Sequence, residues 1–140
     1  MIVLDTNVVS ELMRPLPAAS VVAWFEEQDV RELRVTAVTL AELLYGIGRL
    51  PAGARRRALG AAADDLMLSF PQEILPFGHE AARCYGPVVA MRERAGAPIA
   101  VLDAQIAAIC QVHGASLATR NVKDFVGTSV DLVDPWSHPL

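Results

Sequence analysis

Lysine is almost missing from this sequence: Lys123 stands alone against eleven arginines in 140 residues. Cysteine is scarce too. Cys84 and Cys110 sit in apolar stretches, and neither belongs to a CxxC or Cys/His spacing. That excludes a disulfide framework and a zinc site, and both residues read as small core side chains in a reduced, cytoplasmic protein. Aromatics are only 6% of the residues. No heptad pattern persists for several turns, so no coiled coil is expected. No apolar run is long enough to cross a membrane without interruption. The longest candidate, 95–119, contains Pro98, Asp103 and Gly114. The opening Met1-Ile2-Val3-Leu4-Asp5 has no basic region and meets an acid at once, so no signal peptide is expected.

Hydrophobic residues are plentiful at 53%, and only 20% are charged. This excludes intrinsic disorder. The length predicts a single domain over residues 1–140 with a substantial core. The net charge of −4 argues against a dedicated nucleic-acid binder, unless some of the acids bind metal and the working surface is less negative than the count.

Short apolar runs alternate with helical patterns. Strands are expected at Ile2–Leu4, Leu33–Val35, Ser116–Thr119 and Asp131–Val133, with a short one at Glu73–Leu75. Helices are expected from Val8 to Met13, Ala18 to Gln28, Thr39 (as cap) to Gly48, Ala54 to Ser69, His79 to Ala95 and Val101 to His113. Gly86-Pro87 would kink the fifth, and Gly114 would end the last. This alternation predicts an α/β fold: a three-layer α/β/α domain around a short, mainly parallel sheet.

Three of the sixteen acids are isolated in apolar surroundings. Asp5 is the only charged side chain in residues 1–10, Glu42 in 35–48, and Asp103 in 95–119. On a helix Asp103 shares its face with Ile99, Ile106, Ala107 and Cys110, so it points inward. A buried carboxylate needs a partner or takes up a proton. No basic residue lies within a helical turn of any of the three. Asp5 ends the first strand, and in open α/β sheets ligands bind at the carboxyl ends of strands. The segment Thr119-Arg120-Asn121-Val122-Lys123-Asp124-Phe125 follows the third and adds Asp124. Converging carboxylates make an all-oxygen site of the kind that takes Mg²⁺ or Mn²⁺. Each acid also has a simpler role open to it. Asp5 and Asp103 would serve as helix caps, Glu42 as a half-exposed helix residue, and Asp124 as a solvated loop acid.

The sequence resembles the PIN-domain family and, within it, the VapC-type ribonuclease toxins of bacterial toxin–antitoxin pairs, including the FitB-like group. The resemblance rests on Met1-Ile2-Val3-Leu4-Asp5-Thr6-Asn7, on Thr39-Leu40-Ala41-Glu42-Leu43 with Gly46, on Leu102-Asp103-Ala104-Gln105-Ile106-Ala107-Ala108, on Leu117 to Phe125, and on Val133-Asp134-Pro135-Trp136. It implies a PIN-like fold, Mg²⁺- or Mn²⁺-dependent endoribonuclease activity on RNA, homodimers, and a cognate antitoxin protein. It also implies that Asp5, Glu42, Asp103 and Asp124 are the catalytic and metal-binding acids. Many relatives carry Asp where this chain has Asn121, so the fourth ligand is either Asn121 or Asp124. Thr6 and Thr119 are candidates for supporting hydroxyls, and Arg120 for a substrate contact.

The expected chemistry is hydrolysis of an RNA phosphodiester, with Asp5 and Asp103 as direct ligands. Glu42 would bind metal or orient water, and Asp124 would hold a second ion or its water shell. His79, His113 and His138 share no motif and offer no acid–base alternative. Arg49 and Arg55-Arg56-Arg57 form the densest basic cluster. A solvated face, RNA phosphate contacts and docking of an acidic antitoxin segment all remain open for it. Two other functions fit the same acids. One is a catalytically silent PIN-like module that binds RNA or protein, and the other a metal-dependent nuclease acting on DNA.

Overall fold

The computed structural model describes residues 1–70 and 73–140. Four short parallel strands, β1 (Ile2–Leu4), β2 (Leu33–Arg34), β3 (Ser116–Ala118) and β4 (Leu132–Val133), form a sheet in the order β2-β1-β3-β4. The strands carry apolar side chains on both faces because both faces are covered. Val3 and Leu117 point into one core, with Ile106 and Phe125. Leu4 and Ala118 point into the other, with Val8, Trp24 and Leu33. One helical layer therefore rests on each side of the sheet, the expected three-layer α/β/α arrangement.

Six helices supply those layers: α1 (Thr6–Leu12), α2 (Ala19–Glu26), α3 (Ala37–Gly48), α4 (Ala54–Ser69), α5 (His79–Arg94) and α6 (Val101–His113). α6 is the most enclosed. Ala104 and the run Ile106–Cys110 are all fully buried, so this helix is apolar almost all round and serves as the central pillar. It ends at Gly114, whose left-handed φ of 58° suits a residue without Cβ.

Most boundaries fall within two residues of expectation, and α4 and α6 match it. Three details differ. Thr36, not Thr39, caps α3, because the fully buried Thr36 hydroxyl accepts from the Thr39 N–H at 3.0 Å. The strand expected at Glu73–Leu75 is reduced to one parallel bridge between Thr36 and Leu75. α5 continues through Gly86-Pro87 without ending. Cys110 is buried and Cys84 half-buried, both as free thiols packed in or against one core.

The sheet order matters for function. β1 leads to β2 on one side, and the chain later returns to place β3 on the other side of β1. The direction of winding reverses between β1 and β3, and at such a switch point loops diverge and leave a crevice at the carboxyl ends of the strands.

Candidate active site

Asp5 follows β1 and Thr119 follows β3, so the two residues flank that crevice. Asp5 is 5% exposed, yet its carboxylate is well supplied with donors. The Thr6 N–H reaches Oδ1 at 2.8 Å, the Thr119 hydroxyl reaches Oδ2 at 2.7 Å, and the Asn7 amide reaches Oδ2 at 3.3 Å. The first of these bonds makes Asp5 the N-cap of α1, so the capping role and the site role coexist. Burial raises the Asp5 pKa, the donated hydrogen bonds oppose this, and the nearby charge of Asp124 adds to it.

Thr6 connects Asp5 to α3. Its hydroxyl lies 2.9 Å from Oε1 of Glu42 and 3.1 Å from the Thr39 hydroxyl. A hydroxyl has one proton, so Thr6 donates to the carboxylate and accepts from Thr39. Glu42 is thereby fixed by one oxygen. Asp103 stands in the first turn of α6, too far inside the helix to cap it; Ala100 occupies the cap position. Among the described residues nothing hydrogen-bonds or pairs with Asp103. Burial, then the charges of Asp5, Asp124 and Glu42, push its pKa up to about 6, with Arg92 opposing.

These side chains line a cleft of about 260 Å³ together with Asn7, Ser10 and Asn121. The structure thus brings Asp5, Glu42, Asp103 and Asn121 to one place. Asp124 stands outside the cleft wall, near enough for its charge to act on both Asp5 and Asp103. Thr119 is fully buried and ties three elements together: it donates to Asp5 and accepts from the Asn121 N–H at 3.1 Å. Arg120 is held at the rim. Its N–H donates to Asn7 Oδ1 at 3.2 Å, and its guanidinium lies 5.1 Å from the centre of the Trp136 ring.

Sequence reasoning did not single out Asn7, Ser10 or Arg92, and gave Thr39 only a capping role. Asn7 and Thr39 stand inside the quoted motifs, so position beside an acid was the available signal. Arg92 carried none, because it comes from a different helix.

Every donor in the cleft is an oxygen or an amide, the set that suits Mg²⁺ or Mn²⁺. The uncompensated Asp103 is the group a cation would relieve. Among the described residues no three acidic, histidine or cysteine side chains close into a preformed metal cage. The oxygen donors lining the cleft are of the type that holds a hard divalent cation.

A second, larger recess of about 580 Å³ adjoins the cleft and shares Thr6, Ser10 and Glu42 with it. It runs between α1, α3 and α4. Met13, Leu43, Ile47 and Leu59 give it apolar walls, and Arg14 and Arg55 stand along it. Arg55 thus belongs to the groove. Arg56 and Arg57 are exposed, and Arg49 lies 5.4 Å from the centre of the Tyr45 ring.

A parallel three-layer α/β/α domain with carboxylates gathered at its winding switch has the architecture of a PIN-like domain. The chain belongs to the PIN-domain family, whose model matches residues 2–126. It is similar to VapC ribonuclease Y4jK of Sinorhizobium fredii, with 36% identity covering 97% of this chain and 98% of that protein. It is also similar to toxin FitB of Neisseria gonorrhoeae, with 35% identity covering 97% and 99%. Among solved structures, FitAB bound to an IR36 DNA fragment superposes with a TM-score of 0.91 at 33% identity, covering 100% of this chain and 99% of that one.

Proposed function

We propose that this chain is the toxin of a type II toxin–antitoxin pair, an endoribonuclease that hydrolyses RNA phosphodiesters with Mg²⁺ or Mn²⁺, and that residues 1–140 act as one unit. The observation that carries the metal reading is Asp103: a half-buried carboxylate without a partner, facing a cleft it shares with two other acids. The similarity to a VapC ribonuclease and to toxin FitB over almost the whole chain supports RNA as substrate.

Asp5 and Asp103 would hold the ion. Glu42, fixed through Oε1 by Thr6, keeps its second oxygen for the ion or for a water. Asp124 would hold a second ion or part of a hydration shell. A bound divalent ion supplies charge stabilisation for in-line displacement at phosphorus. Thr119, Thr6 and Asn7 keep the Asp5 oxygens oriented, and Asn121 offers an amide oxygen where many relatives have an acid. Arg120, stacked on Trp136 at the rim, presents its guanidinium to a substrate phosphate.

Two surfaces support the expected partners. The apolar groove beside the cleft suits an apolar helix of an antitoxin, and Arg14 and Arg55 suit acidic residues on it. Leu44 and Tyr45 on α3 and Val101 and Leu102 on α6 are exposed large apolar side chains on two helices in contact. They support a homodimer, because exposed large apolar side chains are the usual material of interfaces. No helix among the described residues is long and apolar enough to cross a membrane. An RNA substrate would place its action in the cytoplasm.

The test is incubation of purified protein with structured RNA, single-stranded RNA and DNA, each with Mg²⁺, Mn²⁺ or EDTA. RNA should be cut only with metal. RNA cleavage undiminished in EDTA overturns the metal reading, and cleavage of DNA alone overturns the choice of substrate.

A further inference from the structure

Arg92 is the one basic side chain among the buried described residues, at 7% exposure. It stands in the last turn of α5, far in sequence from every acid of the cleft. Among the described residues no carboxylate lies within ion-pairing distance of it. Instead Nη1 donates to two backbone carbonyls, those of Lys123 at 3.2 Å and Val126 at 2.7 Å. Its Nε is buried without a hydrogen-bond partner. A buried cation with only carbonyl dipoles for company is costly to the fold, so its position calls for a reason.

The two carbonyls bracket Asp124. The segment from Val122 to Asp124 is a single 3-10 turn, and its structure is otherwise set by Phe125, which is buried, and by the Thr128 hydroxyl, which donates to the Phe125 carbonyl at 2.6 Å. Arg92 reaches across from α5 and holds both ends of the stretch on which the fourth acid rides. Its charge also acts favourably on Asp103, on the neighbouring helix.

We infer that Arg92 is a positioning residue for the metal site: it clamps the turn that carries Asp124. The inference rests on the metal-dependent reading above. It assigns a second structural source to the site, since α5 contributes no residue to the cleft wall.

Calorimetric titration of the metal-free protein with Mn²⁺ alone tests it, using Arg92→Met, Asp124→Asn and the double variant. Arg92→Met should weaken Mn²⁺ binding by about tenfold or more, the scale seen when supports of a metal ligand are removed. If Arg92 acts through Asp124, the double variant should lose little beyond the larger single loss. Arg92→Lys keeps the charge and should recover part of the affinity. Arg92→Gln runs the same cycle if the Met variant does not fold. Mn²⁺ affinity within twofold of wild type in Arg92→Met (or Arg92→Gln where Met does not fold), or losses that simply add to those of Asp124→Asn, overturns the inference and leaves the metal reading standing. Wild-type protein that binds no Mn²⁺ overturns both.

Discussion

The Thr119 hydroxyl donates to Oδ2 of Asp5 at 2.7 Å, across the gap between the ends of two adjacent parallel strands. The bond joins residues 114 positions apart in the chain and fixes the orientation of the most buried acid in the cleft. Thr119→Val keeps the shape and removes the donor. It should lower RNA cleavage by about 10–100-fold with the fold intact, and Thr119→Ser should restore most of it. Steady-state cleavage rates beside circular dichroism decide this. Full activity in Thr119→Val would reduce the hydroxyl to packing.

Asp103 predicts a pH signature. Its pKa is raised from 3.8 to about 6 in the folded protein. The native state therefore binds more protons than the unfolded state between those values, and stability falls as pH rises through this window. Asp103→Asn removes the term. In EDTA the variant should melt like wild type in acid, pull ahead as pH climbs through the window, and keep a constant lead of a few °C above it. It should also have lost RNA cleavage. An Asp103→Asn protein that melts clearly below wild type at neutral pH would mean that Asp103 has a stabilising native partner, and that its place in the metal site is wrong.

The groove predicts a separation of activity from neutralisation. Gly46 lines it, and a Cβ built there meets nothing within 4 Å. Gly46→Ala, inside α3, should stabilise the protein by about 0.5–1 kcal/mol. Gly46→Trp should fold and cut RNA as wild type does, while an antitoxin present at saturating concentration no longer neutralises it. Unaltered neutralisation of the Trp variant would place the antitoxin elsewhere.

Phe125 follows Asp124 and is 1% exposed. Phe125→Ala should cost about 3–5 kcal/mol of stability in urea unfolding, because the cavity opens in a core shared with α6. A loss below 1 kcal/mol would show that the turn carrying Asp124 is held by its hydrogen bonds and not by packing.

Much of this architecture was legible from local pattern. Ile2–Leu4 reads as a buried strand because three apolar residues run into an acid, and α6 reads as a helix because its apolar stripe ends at a glycine. The isolation of Asp5, Glu42 and Asp103 marked residues that the fold then brings to one cleft. What stayed hidden depends on tertiary contact. Glu73–Leu75 has strand composition but gains only one bridge, since its neighbour is the loop at Thr36 and not a full strand. Thr36 and Thr39 are equally good caps by type, and only the course of the backbone chooses between them. Arg92 could not be found at all, because one of the three arginines of α5 looks the same in sequence whether it faces water or a core.

β1 is an inner strand whose second neighbour, β3, begins at Ser116. During synthesis the chain therefore makes Asp5 114 positions before the Thr119 that orients it. A nascent chain that stops before Ser116 has its first acids and both early helical layers, but no Thr119 to orient Asp5 and no turn to carry Asp124. Pairings this distant in sequence close late in folding. A translation product that stops before Ser116 therefore lacks a working nuclease pocket, and such truncated products should be harmless to the cell that makes them.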